Sequence, residues 1–330
     1  MAPPIKRVAG CGKLVVVTGG AGFIGSHLID RLLGRGDSVV CIDDFNDYYA
    51  PAEKRANIAA HRREPRFRLF EADIRERERM QTLLASLEPD VLVHLAARAG
   101  IRPSVASPFL YQQTNVGGTL NLLEAARLAG VPHVVFGSSS SVYGLNGRTP
   151  FSEADPLLRP ASPYAATKIA CEALCHSYAH LYELGVVSLR FFTVYGARQR
   201  PDLAIRKFAE RILRGQPIQL YGDGSSSRDY THVSDIIAGV VAAIDRPAEG
   251  HELYNLGNTA PLQLIDMVRT IEAAAGRRAQ LEWQPDQPGD VPTTCADISR
   301  ARKALGFEPA VGFGEGVREF ISWLRKAAAA

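Results

Sequence analysis

The sequence predicts an α/β protein built on a doubly wound parallel sheet, with a smaller mixed α/β lobe beside it. Three observations carry that prediction. Short apolar runs alternate with amphipathic helical patterns through the N-terminal half, the first run ends in a glycine-rich turn, and beyond residue 195 the alternation loosens into Pro, Gly and polar turns. At 330 residues the chain can bury one large core or two intimate ones. A hydrophobic content of 46% and a charged content of 22% are those of an ordinary globular protein. The net charge of +3 is too small to point to nucleic acid or a membrane surface. The opening MAPPIKRVAGCGK has no apolar h-region and no apolar run is long enough for a bilayer, so neither a signal peptide nor a membrane span is expected. Of the five cysteines, Cys171 and Cys175 share a helix face, but no Cys or His cluster has metal-ligand spacing. No metal is expected, and the cysteines read as free thiols of a cytoplasmic protein.

Taken in order, LVVVT (14–18) is a fully apolar run, the pattern of a strand covered on both faces. GFIGSHLIDRLLGRG (22–36) has helical spacing and closes on Gly; SVVCID (38–43) is the next strand. The arginines at Arg62, Arg63, Arg66 and Arg68 read as a solvated loop, and a short strand precedes EADIR (71–75). DVLVHLAA (90–97) is a strand, GGTLNLLEAARLAG (117–130) a helix and HVVFGSSS (133–140) a strand. Ser162 is a good N-cap and Pro163 suits the first helical position, so the Ala-rich run behind them is a helix leading to the strand VVSLRFF (186–192). DIIAGVVAAI (235–244) is a further helix belonging to the sheet. Strand–helix–strand repetition with right-handed crossovers makes the sheet parallel, with helices on both faces. The predicted division is a dinucleotide-binding domain over 1–194, rejoined by 231–259, and a smaller lobe made of 195–230 and 260–330.

The strongest motif is TGGAGFIG (18–25), because Gly19, Gly22 and Gly25 follow a strand and open a helix. That context lets a pyrophosphate approach the free N–H groups of the helix N-terminus. The next strand ends in Asp43, at the distance expected of an acid that binds the adenosine ribose hydroxyls. A carboxylate there repels a 2′-phosphate, which favours NAD over NADP. Asp73 follows another strand and is placed to accept from the adenine amino group. The second motif is Tyr164 with Lys168, four positions apart and so neighbours on one helix face. An ammonium beside a phenol favours the phenolate and makes it a usable proton acceptor.

TGGAGFIG, Asp73 with Ile74, HLAA (94–97), SSSSVYG (138–144), YAATK (164–168) and RDYTHVSD (228–235) come in the order seen in the extended short-chain dehydrogenase/reductase family. Over roughly residues 13 to 325 the chain resembles its nucleotide-sugar 4-epimerases. The resemblance implies a Rossmann-type fold, bound NAD, a UDP-sugar substrate, and a homodimer formed through the Tyr164 helix and the helix near 117–130, with Leu174, Tyr178 and Leu181 at the contact. It implies Ser139, Tyr164 and Lys168 as the catalytic set. Phe23, Ile24, Leu95, Ala96 and Ala97 join the glycines, Asp43, Asp73, Ile74, Tyr164 and Lys168 around the cofactor. Ser139, Ser140, Thr193, Arg200, Tyr221, Arg228 and Asp290 line the substrate.

Within the family, related 4,6-dehydratases carry an Asp-Glu pair just before V-Y-G and UDP-glucuronate decarboxylases carry a Glu, whereas this chain has Ser140 and Ser141. RFFTVYGARQRPD (190–202), IDDFNDYY (42–49), HLAARAGIRPS (94–104) and QPGDVP (287–292) resemble the UDP-glucuronate 4-epimerases. Thr193 stands where UDP-glucose 4-epimerases usually have Asn, and Arg200 is suited to a bidentate pair with a C6 carboxylate. Arg98 departs from the Gln common in the uronate enzymes. The expected reaction is NAD-dependent conversion of UDP-glucuronate to UDP-galacturonate through a 4-keto sugar. A UDP-glucose 4-epimerase or another epimerase or decarboxylase on the same scaffold is the alternative, and a non-catalytic NAD-binding module is disfavoured by the intact Ser, Tyr and Lys.

Overall fold

The structure, a computed structural model, describes residues 12–285 and 291–329, so Asp290 lies outside the described residues. Seven parallel strands form the central sheet: β1 (Leu14–Thr18), β2 (Ser38–Asp43), β3 (Phe67–Glu71), β4 (Val91–His94), β5 (His133–Ser139), β6 (Gly185–Phe191) and β10 (His251–Leu256). Their spatial order is β10-β6-β5-β4-β1-β2-β3, so the chain reverses direction between β1 and β4. In a doubly wound sheet that switch point opens a crevice at the C-terminal strand ends. The doubly wound parallel sheet predicted from the sequence is the observed one.

Strand alternation distributes the apolar residues over two cores. Val15 and Val17 face helices Phe23–Gly34 and Val233–Asp245 through Leu28, Ile29, Leu32, Ile236 and Val240. Leu14 and Val16 face the opposite layer, where Arg77–Leu87, Gly118–Leu128 and Pro163–Tyr182 contribute Met80, Leu84, Leu122, Leu123, Cys171 and Cys175. A third core lies around Phe208, Ile212, Leu220, Met267 and Phe320. It is covered by β7 (Thr193–Tyr195), β9 (Ser227–His232) and β11 (Pro261–Gln263) in one small sheet, and β8 (Ile218–Tyr221) with β12 (Leu281–Gln284) in another.

One local expectation is corrected. Arg62, Arg63 and Arg66 do lie in turns, Arg66 tied to Glu64 and to Leu33 O, but Arg68 is a strand residue within β3. An edge strand such as Phe67–Glu71 admits charged residues among its apolar ones, which mimics a charged loop in the sequence. The helix expected over 117–130 is observed over Gly118–Leu128, continuing a π-helical stretch over Gln112–Gly117. There the buried Asn115 side chain holds Arg98 through N–H and C=O (2.8 and 2.9 Å) and Thr167 at 3.0 Å.

Candidate active site

All the strand ends that matter face one crevice. Gly19 turns the chain out of β1 at φ +68°, and a Cβ there would stand 2.7 Å from Ala96 N. At Gly25 a Cβ would meet Gly19 O at 2.3 Å, so this glycine lets the helix pack on the turn. Gly22 differs: nothing crowds it closer than Gly19 O at 3.2 Å, and the Tyr49 hydroxyl lies 4.0 Å from the same point. The helix beginning at Phe23 has no side-chain cap, and the buried Tyr49 hydroxyl has no partner among the described residues. Free amides, an open glycine and an orphaned hydroxyl fit an anion such as a dinucleotide pyrophosphate.

Around this cradle stand the other expected cofactor residues. Asp43 ends β2 and accepts from Phe45 N (3.0 Å) and Ala21 N (3.1 Å). Burial raises its carboxyl above the usual range, against the pull of those amides and of the Lys54 ammonium. Asp73 is gripped by Arg75 (2.6 and 2.8 Å), which outweighs its burial and lowers its carboxyl. Ile74 is buried, with its side chain against Gly118. Leu95, Ala96 and Ala97 leave β4 half-buried, with Leu95 N on Thr18 O. Phe23 is buried and Ile24 half-buried in the helix start.

Ser162 caps the helix Pro163–Tyr182 by accepting from Ala165 N at 3.1 Å, so Tyr164 sits in the first turn. Tyr164 is 9% exposed, edge-on to Tyr111 at 6.3 Å. One turn on, Lys168 is buried, donating to Gly137 O at 2.6 Å with its ammonium 4.7 Å from the Phe136 ring centre. The two residues share a face, but the ammonium is bound to the end of β5. Ser139, the last residue of β5, donates to Ser141 Oγ (3.1 Å) and accepts from Ser141 N (3.2 Å). Ser138 points away, donating to Glu172 at 2.6 Å. Ser140 begins the short turn Ser140–Tyr143 and is half-buried.

On the opposite wall, Thr193 opens β7 beside Tyr230 of β9. Arg200 forms a two-pronged pair with Asp202 (2.9 Å each) and packs 5.3 Å from the Tyr48 ring centre. Burial disfavours its charge, yet Asp202 and the Tyr48 and Tyr164 phenols together hold it above the ordinary guanidinium value. Tyr48 and Tyr111 both donate to Ala99 O (2.6 and 2.7 Å), so Arg200 is linked through these two rings to Tyr164. Tyr221 ends β8 with the Arg102 guanidinium 4.8 Å from its ring centre. Arg228 donates to Ser227 O at 2.9 Å and Pro292 O at 3.4 Å. Sequence reasoning did not single out Tyr48, Tyr49, Tyr111 and Asp202. Tyr48 and Tyr49 lie in IDDFNDYY, but their pattern is no different from a polar loop, and only the fold shows that Tyr48 bonds Ala99 O (2.6 Å) and Asp202 (3.3 Å).

A glycine turn opening onto an uncapped helix, an acid at the end of the second strand, and a Ser, Tyr and Lys at the end of β5 and its neighbouring helix are the features of a short-chain dehydrogenase/reductase. Comparison with known proteins narrows the class. The GDP-mannose 4,6-dehydratase family matches residues 16–320. UDP-glucuronate 4-epimerase 4 of Arabidopsis thaliana is 40% identical over 336 residues, covering 97% of this chain and 77% of that protein. A probable UDP-glucuronate 4-epimerase of Rhizobium meliloti is 38% identical over 326 residues, covering 93% and 96%. The crystal structure of UDP-glucuronic acid 4-epimerase from Bacillus cereus, in complex with UDP-glucuronic acid and NAD, superposes with a TM-score of 0.90 at 34% identity, covering 95% and 99%. The chain belongs to this family of nucleotide-sugar epimerases and dehydratases.

Proposed function

We propose that the protein is an NAD-dependent isomerase that converts UDP-glucuronate to UDP-galacturonate. The observation that supports the reading is the Arg200 guanidinium, paired with Asp202 and packed on Tyr48, whose hydroxyl shares Ala99 O with Tyr111, the ring that stands edge-on to Tyr164. A sugar whose C4 hydroxyl meets Tyr164 presents its C6 carboxylate one ring atom further on, where a cation is wanted. Asp202 takes the Nε and Nη2 edge of Arg200, and the Nη1 side is assigned to the carboxylate, with Thr193 beside it. Tyr164 removes the 4-hydroxyl proton, Ser139 donates a hydrogen bond to the oxygen that becomes a ketone, and Lys168 holds the nicotinamide ribose. NAD, bound in the cradle, would supply a reversible hydride acceptor, and inversion at C4 requires the 4-keto sugar to turn over and present its opposite face. Tyr164 then gives its proton back. Ser140 and Ser141 stand beside the ketone oxygen without an acid, which supports epimerisation over elimination or decarboxylation.

The nucleotide-sugar lobe is assigned to 195–230 and 260–330, with Tyr221 beside the uracil, Arg228 on the diphosphate and Asp290 near the uridine ribose. A homodimer is assigned to the helices Gly118–Leu128 and Pro163–Tyr182, where Leu128 and Leu181 are exposed (56% and 65%). Leu174 and Tyr178, by contrast, pack from half-buried positions on the core. Among the described residues no helix is long and apolar enough to cross a membrane. The free thiols of Cys41, Cys171, Cys175 and Cys295 favour a reducing, cytoplasmic location. Incubation with UDP-glucuronate and with UDP-glucose, followed by chromatography, tests the assignment. UDP-galacturonate is expected; UDP-galactose formed from UDP-glucose with no uronate turnover overturns it.

A further inference from the structure

Behind the catalytic serine lies a buried polar network that the reaction does not use directly. Glu172 stands on the same helix as Tyr164 and Lys168, one turn beyond Lys168. Arg190 on β6 grips it with two prongs, Nε at 2.9 Å and Nη2 at 2.8 Å, and both side chains are almost fully buried (2% and 6% exposed). Glu172 also accepts from Ser138 Oγ at 2.6 Å, and Arg190 Nη1 donates to the Tyr143 hydroxyl at 3.0 Å. Tyr143 in turn donates to Asn255 Oδ1 at 2.6 Å, and Asn255 Nδ2 donates to Phe151 O and Asp297 O (2.9 and 3.0 Å). Strand register aligns Ser138, Arg190 and Asn255 across β5, β6 and β10.

The placement is what matters. Lys168 holds Gly137 O and Glu172 holds Ser138 Oγ, so two successive turns of the helix clamp two successive residues of β5, immediately before Ser139. Tyr143 closes the far side of the serine turn onto Arg190. A buried ion pair is a poor way to gain stability, because apolar residues of similar volume usually do as well or better. It is a good way to fix geometry, since a forked guanidinium tolerates little displacement of its partners.

We infer that Glu172 and Arg190 are positioning residues that set the Ser139 hydroxyl against the Tyr164 phenol, by locking the end of β5 to the catalytic helix. The inference rests on the proposed roles of Ser139 and Tyr164. Loss of the lock moves the serine donor off the ketone oxygen while leaving both ligand-binding walls in place.

The test is steady-state kinetics on UDP-glucuronate with the NAD-loaded protein, together with NAD content and urea unfolding. Glu172→Gln keeps the shape and removes the charge; kcat is expected to fall about 10- to 100-fold, the cost of a misplacement near 1 Å. KM is expected to stay within about threefold, because ground-state binding is untouched. In a Ser139→Ala background the same change should cost less than about threefold, since coupled sites are non-additive. The double variant Glu172→Met/Arg190→Met removes both charges and keeps the stability of the parent, yet its kcat should remain low. Parental kcat in that folded double variant, or a full additional loss in the Ser139→Ala background, overturns the positioning role. Full activity of Ser139→Ala alone overturns the reading of the serine itself, which separates the two failures.

Discussion

Tyr164 and Ser139 differ in how replaceable their surroundings make them. Tyr164→Phe keeps the ring against Tyr111 and loses only the proton acceptor, so folding and NAD content are expected to persist while epimerisation falls at least ~10²-fold. Ser139→Ala should cost less only if a neighbour substitutes. Ser138 is tied to Glu172 and cannot, which leaves Ser140 and Ser141. Arg200 makes the substrate claim testable. Losing one partner of a desolvated charge pair costs on the order of 2–5 kcal/mol, so Arg200→Ala should lower kcat/KM for UDP-glucuronate by at least ~30-fold. Any activity on UDP-glucose should change far less. A clamp on the carboxylate also keeps the C–COO⁻ bond of a β-keto acid out of the perpendicular geometry that loses carbon dioxide, so more UDP-pentose is expected from the variant. Equal damage to both substrates, seen by chromatography and kinetics, would assign Arg200 to the diphosphate or to the fold.

Elements of the sheet were legible because both faces are buried, which forces continuous apolar runs: LVVVT and SVVCID coincide with β1 and β2. The Tyr164 helix start was legible for a different reason, since capping and spacing are local, whereas Ser139 was reached only through the family resemblance. The uncapped and bridging features were not. The Asn115 link to Arg98 and Thr167 joins residues 17 and 52 positions away, and the Glu172–Arg190 pair joins a helix to a strand 18 positions on, with no local signal for either. His94 belongs to the same hidden class. It ends β4 between Thr18 Oγ1 (2.8 Å) and Thr119 Oγ1 (3.0 Å), and burial, aided by the Lys168 charge, pushes it from 6.5 down to about 3. Burial likewise lowers His251 to about 4. Below pH 6.5 the unfolded chain binds protons that these folded imidazoles refuse. Their stabilisation is therefore complete above pH 6.5 and lost as pH falls toward 4 and then 3, at up to about 1.4 kcal/mol per pH unit for each. Urea midpoints measured from pH 7 to pH 4 should decline, and His94→Gln should flatten the slope. An unchanged slope in that variant would return His94 to an ordinary imidazole.

At the scale of the molecule, the helix carrying Tyr164 has two sides with different obligations. Its inner side is fixed by Cys171, Cys175, Glu172 and Lys168. On its outer side Leu181 and Tyr182 are exposed (65% and 48%), and on the neighbouring helix so are Leu120 and Leu128 (41% and 56%). Tyr178 donates to Glu124 at 3.0 Å, which joins the two helices into one surface. Large aliphatics scattered singly on a surface need no explanation, but several on one helix pair are the mark of a contact. The proposed homodimer would seat a second copy here, the same patch of both subunits meeting about a two-fold axis. On that proposal sedimentation velocity should give twice the chain mass, and Leu181→Glu, which puts a charge on the exposed apolar face, should give the single-chain mass. Since Tyr164 is anchored from the inner side, the monomeric variant should keep its NAD and much of its turnover while unfolding at lower urea. A variant that stays dimeric would move the interface elsewhere. One that becomes monomeric and loses NAD as well would show that the outer side of the helix, and not the β5 clamp, holds the catalytic residues in place.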